Sequence, residues 1–354
     1  MATPSLYTTT QLRDLVSIVP AINSFYAGLF PANPDISASD EIIFDVQKHK
    51  HKIAPLVRIY GKNKELLRDS YTTSRIVPPR LGGKRSISPE TIAGRIAGEQ
   101  IVHGGFTPAQ RAKLLLMKDI QDIKNAMTNR LELMCRDVLF TGAVTSISNF
   151  DDETLNVDYG LSASHNITLA GAAKWDQSTS DAQSDLLDAR DLIAKDAGLT
   201  ATMAIVGTAV WKKMRNNESL MKQFDRYDAK LGTIAPQVQS PDMTYLGRFA
   251  DSGIDLYLNT GWTVNPTTGI AEPLTPTDKV LVLPRELSQC LSLEYGAITQ
   301  LEKMGEQASF VTYQEQFVPK IFIEDETDVM SMQIASRVLP VMKIVDSVVV
   351  IKAV

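Results

Sequence analysis

The feature that most constrains the fold is one uninterrupted helical pattern that begins at Thr107. Thr107 is a good N-cap residue, Pro108 occupies the first helical position, and Gln110 completes a capping box. Apolar residues then recur at spacings of three and four until Gly142 ends the pattern. These apolar residues are Leu116, Ile120, Ile123, Met127, Leu131, Met134 and Val138. A helix from Pro108 to Phe140 would be roughly 50 Å long at about 1.5 Å per residue, so we expect it to be a structural spine.

Length and composition indicate a globular protein. The chain has 354 residues, of which 44% are hydrophobic and 22% are charged, and this length suggests two or three structural units. Cys135 and Cys290 stand far apart, so we expect two buried thiols and no structural zinc. The N-terminus has no basic start or apolar segment, and no later stretch approaches eighteen apolar residues. We therefore expect no secretory signal and no membrane span.

Charge is distributed unevenly along the chain. The formal net charge of −5 comes from 36 basic and 41 acidic residues, which argues against a surface built throughout for nucleic acid. The stretch from Lys48 to Arg85 holds eleven basic residues against only Glu65 and Asp69, a formal +9. The remainder therefore has 25 basic and 39 acidic residues, or −14. The eleven basic residues are Lys48, Lys50, Lys52, Arg58, Lys62, Lys64, Arg68, Arg75, Arg80, Lys84 and Arg85.

Two interpretations of this basic segment are open. Its cations could neutralise phosphates of a nucleic acid, but Tyr60 and Tyr71 are its only aromatic residues and make a poor stacking platform. Alternatively, it pairs with an acidic surface of another copy of the chain. Charge complementarity between two regions of one chain suits head-to-tail assembly. We favour the second interpretation and treat all eleven residues as candidate intersubunit contacts.

The first hundred residues do not read as a compact domain. Residues 1–40 hold a short apolar stretch followed by prolines, which is typical of an arm. Residues 41–60 alternate as an exposed strand does. The return segment 71–87 contains two prolines and two glycines, which exclude a regular central strand. We interpret residues 41–100 as a long two-stranded excursion that must lie on another part of the protein.

The second half of the chain has the pattern of a mixed α/β region. Ser180 and Gln183 form a second capping box, and the helix that follows should end at Gly198. A further helix is predicted at 208–215. Short buried strands are predicted at 203–206, 254–258 and 280–283. Residues 338–354 are nearly all aliphatic and should close a sheet.

No motif supports catalysis, a metal site or a cofactor. His49 and His51 would share one face of a strand, but no third ligand is indicated. His103 and His165 lack a nucleophile or carboxylate at a recognised spacing and are expected to be hydrogen-bonded or solvated. Residues 78–85 lack the first glycine and the hydroxyl residue of a phosphate loop. The acidic clusters are most simply interpreted as solvated faces.

Three segments resemble a known family. They are YTTTQL at residues 7–12, VDYGLSASHNIT at 157–168 with Trp175 shortly after, and residues 330–354. Together with the order of the elements, they resemble the lambda-type major capsid proteins of tailed bacteriophages, which have the Hong Kong 97 capsid fold.

The resemblance implies an α+β fold with four parts. Residues 1–40 would be the N-terminal arm, and 41–105 the extended β-hairpin loop that lies over a neighbouring subunit. Residues 106–176 would form the peripheral domain around the spine helix, together with the C-terminal strand at 339–354. Residues 177–338 would form the axial α/β domain.

The resemblance also implies a function without an active site or a cofactor. Such proteins self-assemble into hexamers and pentamers of an icosahedral shell that encloses double-stranded DNA, held only non-specifically. The expected partners are further copies of the chain, a separate scaffolding protein, a portal and in some cases a decoration protein. Assembly would take place in the host cytoplasm, and the mature location would be the virion. No lysine is assigned to a covalent crosslink between subunits.

Two other classes of function stay open at this point. A DNA-binding protein would use residues 48–85, and neutralising Lys48, Lys50 and Lys52 would then flatten the salt dependence of DNA binding. A hydrolase would need an acidic site, for which no spacing was found. The capsid hypothesis instead predicts that charge reversal at Arg75, Arg80 or Lys84 impairs assembly and leaves the subunit folded.

Overall fold

A computed structural model of the chain provides the coordinates. It describes residues 16, 24–39, 41–47, 71–78, 80–94, 107–148, 154–177, 179–217, 237–240, 242–249, 252–265, 268–304, 307–324 and 329–354. Seven of the candidate basic residues, from Lys48 to Arg68, lie outside the described residues, as do His49, His51 and His103.

Helices and strands are numbered in chain order. The α-helices are α1 (Pro89–Ala93), α2 (Pro108–Thr141), α3 (Ala182–Ala197) and α4 (Thr208–Asn216). The strands of the first half are β1 (Ile42–Gln47), β2 (Tyr71–Ile76), β3 (Leu81–Ile87), β4 (Ala143–Ser148), β5 (Thr154–Asp158), β6 (Asn166–Thr168), β7 (Ala201–Val206), β8 (Gln237–Ser240), β9 (Met243–Phe249) and β10 (Ile254–Asn259). The remaining strands are β11 (Trp262–Val264), β12 (Ala271–Pro273), β13 (Lys279–Pro284), β14 (Leu291–Tyr295), β15 (Ile298–Met304), β16 (Gln307–Tyr313), β17 (Val318–Glu324), β18 (Val329–Ser336), β19 (Val338–Met342) and β20 (Val349–Lys352).

The long helix α2 is continuous and ends one residue beyond the predicted Phe140. Both halves of the capping box form, since Thr107 accepts from the Gln110 backbone and Gln110 accepts from the Thr107 backbone. Gly142 ends the helix with a φ of 70°, and a Cβ there would collide with Leu161. Apart from the half-buried Leu131, the predicted apolar residues of the helix are buried. The prediction of a single long helix is confirmed.

A seven-stranded sheet separates two hydrophobic cores. Its order is β6-β20-β13-β7-β10-β9-β8, with parallel pairing between β7 and β10 and between β6 and β20. Leu281 and Leu283 of β13 face the core built around α2, whereas Val280 and Val282 face the core built around α3. Because both faces of the sheet are covered, its central strands are apolar throughout. Burial of each such side chain contributes on the order of 1.5–3 kcal/mol.

The C-terminal strand lies in this sheet. β20 pairs with β13 on one side and β6 on the other, and its residues 349–351 are fully buried. Residues 339–354 were expected to belong to the peripheral domain. β20, however, pairs with β13, which lies in the range expected for the axial domain. Because the side chains on both faces of β20 are apolar, the strand is stable in the interior of a sheet whose two faces are covered. This explains the position of β20 between β13 and β6.

A second, three-stranded sheet lies along α2 and has the order β17-β18-β3. β3 forms its edge, with Leu81 opposite Ser336 and Ile87 opposite Met330. This agrees with the expectation that residues 71–87 do not form a central strand. The pairing of β3 with β18 joins residues of the predicted extended loop to residues of the predicted axial domain. It therefore crosses the predicted boundary between these two parts, and the domain bounds stay a prediction.

The second predicted helix is confirmed, but its N-cap is different. Asp181, rather than Ser180, accepts hydrogen bonds from the backbone N–H groups of Gln183 and Ser184. Ser180 instead donates its hydroxyl to the Gln177 carbonyl. Aspartate and serine are about equally good N-cap residues. The residue type alone therefore could not decide whether Ser180 or Asp181 caps the helix. Gly198 ends the helix as expected.

Both cysteines are buried and free, as predicted. Burial raises the pKa of the Cys290 thiol to about 11, and burial raises that of Cys135 well above its usual range. Thiols in this state are unreactive near neutral pH. Among the described helices, none combines the length and the hydropathy that crossing a membrane requires.

Candidate assembly surface

The β1–β2 hairpin brings Arg75 to an exposed face. β1 and β2 pair in antiparallel register, with Ile43 opposite Arg75 and Gln47 opposite Tyr71. Ile43, Arg75 and Tyr71 are all exposed, while Ile42 and Phe44 on the other face are buried. The hairpin therefore packs on its own subunit through one face and presents a mixed apolar and basic face outward.

Arg80 lies beside a second cation. Partial desolvation, followed by the neighbouring guanidinium of Arg337, lowers the pKa of Arg80. Among the described residues, no carboxylate lies within salt-bridge distance of Arg80. Burial and a neighbouring cation both disfavour the charged form of Arg80, which accounts for the direction of the pKa shift.

Lys84 and Arg85 have partners within the chain. The Lys84 ammonium lies 4.7 Å from the centroid of the Phe322 ring on β17. The Arg85 guanidinium lies 3.3 Å from Asp122 and 3.8 Å from Asp119, both on α2. These contacts tie the edge strand β3 to the neighbouring strand and to the long helix. Both residues are exposed as well, so an intersubunit contact stays a prediction for them.

The glycines of the basic segment permit close packing of β3. A Cβ at Gly83 would lie 3.0 Å from the Ile123 side chain of α2, and one at Gly82 would lie 3.1 Å from the Ile334 carbonyl oxygen. In the sequence alone, this pair of glycines argues against a regular central strand. Its structural role is to let the backbone of β3 approach the long helix and β18.

The N-terminal segment, residues 24–39, is anchored by a buried carboxylate that the sequence analysis missed. Glu132 of α2 accepts hydrogen bonds from three successive backbone N–H groups, those of Phe25, Tyr26 and Ala27, at 2.6–2.8 Å. These groups begin a short 3₁₀-helix and would otherwise be unsatisfied. Burial raises the pKa of Glu132, and the three donors oppose that shift.

Three further polar contacts hold the arm. Lys124, buried on α2, donates its ammonium to the Val16 carbonyl at 2.8 Å. Asn33 donates its side-chain amide to Glu294 of β14 at 2.6 Å. The backbone of Asn33 also bonds to the Leu293 carbonyl at 2.9 Å. Residues 24–39 of the predicted arm thus lie against α2 and β14.

His165 and Asp185, which the sequence offered as possible site residues, form hydrogen bonds within the fold. His165 is buried, with Nδ1 2.9 Å from the Val348 carbonyl and Nε2 3.1 Å from Asp196. Asp185 accepts a hydrogen bond from the Trp175 indole at 2.7 Å, so it is more than a solvated acid. The described residues include no cluster of His, Cys, Asp and Glu that could hold a metal ion.

Comparison with known proteins decides the family. A family model described as phage major capsid protein E matches residues 8–353. The chain belongs to this family. The family is one of structural capsid proteins rather than of enzymes. The family assignment favours the capsid hypothesis over the DNA-binding and hydrolase alternatives.

Two major capsid proteins are similar to this one over half of its length. That of Enterobacteria phage phi80 is 24% identical over 189 residues, which are 52% of this chain and 54% of the relative. That of Escherichia phage lambda is 22% identical over 191 residues, with the same shares. The chain therefore aligns with about half the length of these curated relatives.

Solved structures show the fold. A prophage protein from E. coli CFT073, assigned as a capsid protein, superposes with a TM-score of 0.69 at 19% identity, covering 98% of this chain and 99% of the other. A phage-related protein from Bordetella bronchiseptica RB50 gives a TM-score of 0.51 at 11% identity, covering 97% and 96%. The mixed α/β fold is thus shared with a phage capsid protein.

Proposed function

We propose that this capsid protein self-assembles into hexamers and pentamers of an icosahedral phage head that encloses double-stranded DNA. The observation that carries the proposal is the family match over residues 8–353. The fold similarity, which extends over nearly the whole of both chains, supports it. The mechanism is self-association, followed by rearrangement of rigid parts and loops as the shell matures.

The exposed basic groups support an electrostatic contribution to assembly. Arg75 lies on the outward face of the β1–β2 hairpin, and Arg80 is exposed and forms no salt bridge with a carboxylate among the described residues. The rest of the chain outside residues 48–85 carries a formal −14. In this proposal the basic segment of one subunit contacts an acidic surface of the next, which provides specificity and register.

The domain organisation is part of the proposal, with three changes to the bounds expected from sequence. The N-terminal arm covers residues 1–40 and the extended loop covers 41 to about 80. Because β3 pairs with β18 and lies along α2, residues 81–87 and 318–336 belong with the peripheral domain. Because β20 pairs with β13, the C-terminal strand belongs with the axial domain.

The proposed partners follow from this role. Further copies of the chain form the shell, while scaffolding protein, portal and a decoration protein act during or after assembly in the host cytoplasm. The acidic net charge of −5 suits a shell that binds packaged DNA only weakly and non-specifically.

Electron microscopy of the full-length chain tests the proposal. The protein is expressed alone and, in parallel, with the scaffolding protein of its own phage. We expect closed shells or capsomers in at least one of the two preparations. A folded protein that stays monomeric in both preparations would refute the proposal.

Charge reversal tests the role of the basic groups. Arg75→Glu and Arg80→Glu should each reduce the assembled fraction about tenfold, because like charges then face each other across the contact. Circular dichroism should show a normally folded subunit, and sedimentation measures the assembled fraction. Lys84→Glu is a weaker test because Lys84 already contacts Phe322. Lys212→Glu, on the exposed side of α4, is the matched control and should assemble normally.

A further inference from the structure

The β11–β12 hairpin presents an apolar face that its own subunit leaves uncovered. Trp262 is 70% exposed and Val264 is 59% exposed. They occupy alternate positions of β11 and therefore lie on the same face. The hairpin forms a two-stranded sheet of its own among the described strands. Apolar side chains grouped in this way mark an interaction site more often than they occur on an inert surface.

A cavity lies between this face and the long helix. It has a volume of about 360 Å³ and is lined by apolar side chains from both elements, with polar groups from the helix beside them. Its lining includes Ala126, Asn129, Arg130 and Leu133 of α2 and Trp262 and Val264 of β11. No salt bridge of Arg130 occurs among the described residues. The cavity is therefore a largely apolar recess with the Arg130 side chain on its wall.

The cavity is preformed because the hairpin is fixed to the helix. Arg136 of α2 makes a salt bridge of 3.3 Å to Glu272 of β12. Glu272 also accepts from the Asn265 side chain at 3.3 Å, across the hairpin. At the base of the hairpin, the Leu274 backbone N–H donates to the Gly261 carbonyl at 2.8 Å. A partner can thus bind without first ordering this surface.

A complementary protrusion lies on the β15–β16 hairpin. Leu301 and Phe310 are directly opposite each other in the antiparallel register and share one face. Both are exposed, and Phe310 is 78% exposed, the highest value among the large hydrophobic residues that the structure describes. Glu302 follows Leu301 on β15 and therefore lies on the opposite face of the hairpin. The face that carries Leu301 and Phe310, which we name the Phe310 knob, presents an exposed aromatic ring beside a second apolar side chain.

We propose that the Phe310 knob of one subunit inserts into the Trp262 cavity of a neighbouring subunit. The inference rests on the proposed function, since it needs a self-assembling chain. A protruding apolar side chain and an apolar recess on different parts of one chain make a heterologous contact, which forms rings when the rotation closes. The Arg130 guanidinium on the cavity wall would lie beside the inserted Phe310 ring, which is an electrostatically favourable cation–π arrangement. An aromatic anchor with a polar rim is the usual organisation of a strong protein interface.

Crosslinking between differently tagged copies tests the contact. One preparation carries Val264→Cys and the other carries Phe310→Cys, with a size tag on one of them. The native thiols are buried, and burial raises the pKa of both, so they do not compete for the reagent. After coassembly, a short bismaleimide should give a mixed-size dimer in denaturing gels. Ile270→Cys is the matched control, because Ile270 is 67% exposed on the same hairpin and does not line the cavity.

Loss and restoration of assembly give a second, independent readout. Phe310→Ser should reduce the assembled fraction about tenfold, whereas Ile323→Ser on β17, which is also exposed, should assemble normally. Phe310→Leu, which keeps an apolar side chain, should restore most of the assembled fraction that Phe310→Ser loses, and Arg130→Ala should reduce that fraction less than Phe310→Ser does. Circular dichroism establishes that each variant is folded.

The outcomes separate this inference from the proposed function. A mixed dimer with Phe310→Cys and Val264→Cys, and little with Ile270→Cys, supports the inference. Normal shells that give no mixed dimer, or that form equally well with Phe310→Ser, overturn the inference and leave the proposed function standing. If the unmodified chain never assembles, the proposed function fails, and the inference fails with it.

Discussion

The N-terminal segment and the exposed hairpins use polar and charged residues in opposite ways. In residues 24–39, backbone and side-chain groups are satisfied by charged side chains of the same chain, and Glu132 alone accepts three N–H groups. On the hairpins, Arg75, Trp262 and Phe310 are exposed instead. The first set of contacts stabilises the subunit, and the second contributes little to it. We infer that the chain keeps folding contacts buried and leaves its assembly contacts exposed.

The energies of the two kinds of contact should differ accordingly. Removing one partner of a buried hydrogen-bonded group leaves the other group unsatisfied, which costs about 1–3 kcal/mol. An exposed ion pair contributes roughly 0–1 kcal/mol because water and salt screen it. Substitutions in the two regions therefore test the comparison directly, through stability in one case and assembly in the other.

The largest effect on stability is expected for Glu132→Ala. The substitution leaves the N–H groups of Phe25, Tyr26 and Ala27 without their acceptor, and we expect a loss of about 2–4 kcal/mol in unfolding free energy. Glu132→Gln keeps one acceptor oxygen but turns an amide donor toward another donor, so its loss should be smaller. Urea denaturation of the dissociated subunit, followed by circular dichroism, measures both. Equal stability of Glu132→Ala and the unmodified chain would contradict the anchoring role.

A smaller, pH-dependent effect is expected at Glu294. Burial alone would raise the pKa of Glu294, but hydrogen bonds from Ser292, Asn33 and Lys343 outweigh it and lower the pKa below 4.5. The folded state then binds fewer protons than the unfolded state just below pH 4.5. This contribution is present above pH 4.5 and is lost as the pH falls through the folded pKa.

Glu294→Gln should remove that contribution. We expect it to lower the unfolding free energy by about 1–2 kcal/mol at neutral pH, with a difference that shrinks as the pH falls below 4.5. Denaturation curves at several pH values measure the difference between the two proteins. A difference that is constant with pH, or that grows on acidification, would show that the three donors do not stabilise the carboxylate.

The smallest effect on stability is expected for Arg85→Ala. Its guanidinium is half-exposed and pairs with Asp122 and Asp119 at 3.3 and 3.8 Å, so the loss should be at most about 1 kcal/mol. Burial raises the pKa of Asp119, and the nearby charge of Arg85 opposes that shift. Because Arg85→Ala removes the opposing charge, it should raise the pKa of Asp119 further. Thermal denaturation gives the stability change, and NMR titration gives the pKa. A loss as large as that of Glu132→Ala would remove the distinction between the two regions.

The elements with local signals were predictable from sequence. The helix from Thr107 to Gly142 was found because its caps and its apolar spacing lie within one stretch of chain. The contacts of Glu132 could not be predicted, because its partners are about a hundred residues away in sequence. In addition, a buried glutamate on a helix cannot be distinguished by sequence from a glutamate that faces solvent. Strand pairing is equally non-local, so the position of β20 between β6 and β13 needed the structure.

The candidate surface was predictable only in part. Net charge identified the basic segment, and four of its eleven cations can be described, two of which have partners within the chain. The Phe310 knob and the Trp262 cavity carry no sequence signal, because exposure of an apolar side chain depends on which strands pair and which faces are covered.

Hydrogen–deuterium exchange, compared between dissociated subunits and assembled particles, tests the central claim most directly. The account predicts that residues 24–39 are protected already in the subunit and change little on assembly. It predicts that the hairpins at 71–76, 262–273 and 298–313 gain protection when the particles form. Protection of the N-terminal segment that arises only on assembly, together with unchanged exchange in the hairpins, would contradict the division between folding and assembly contacts.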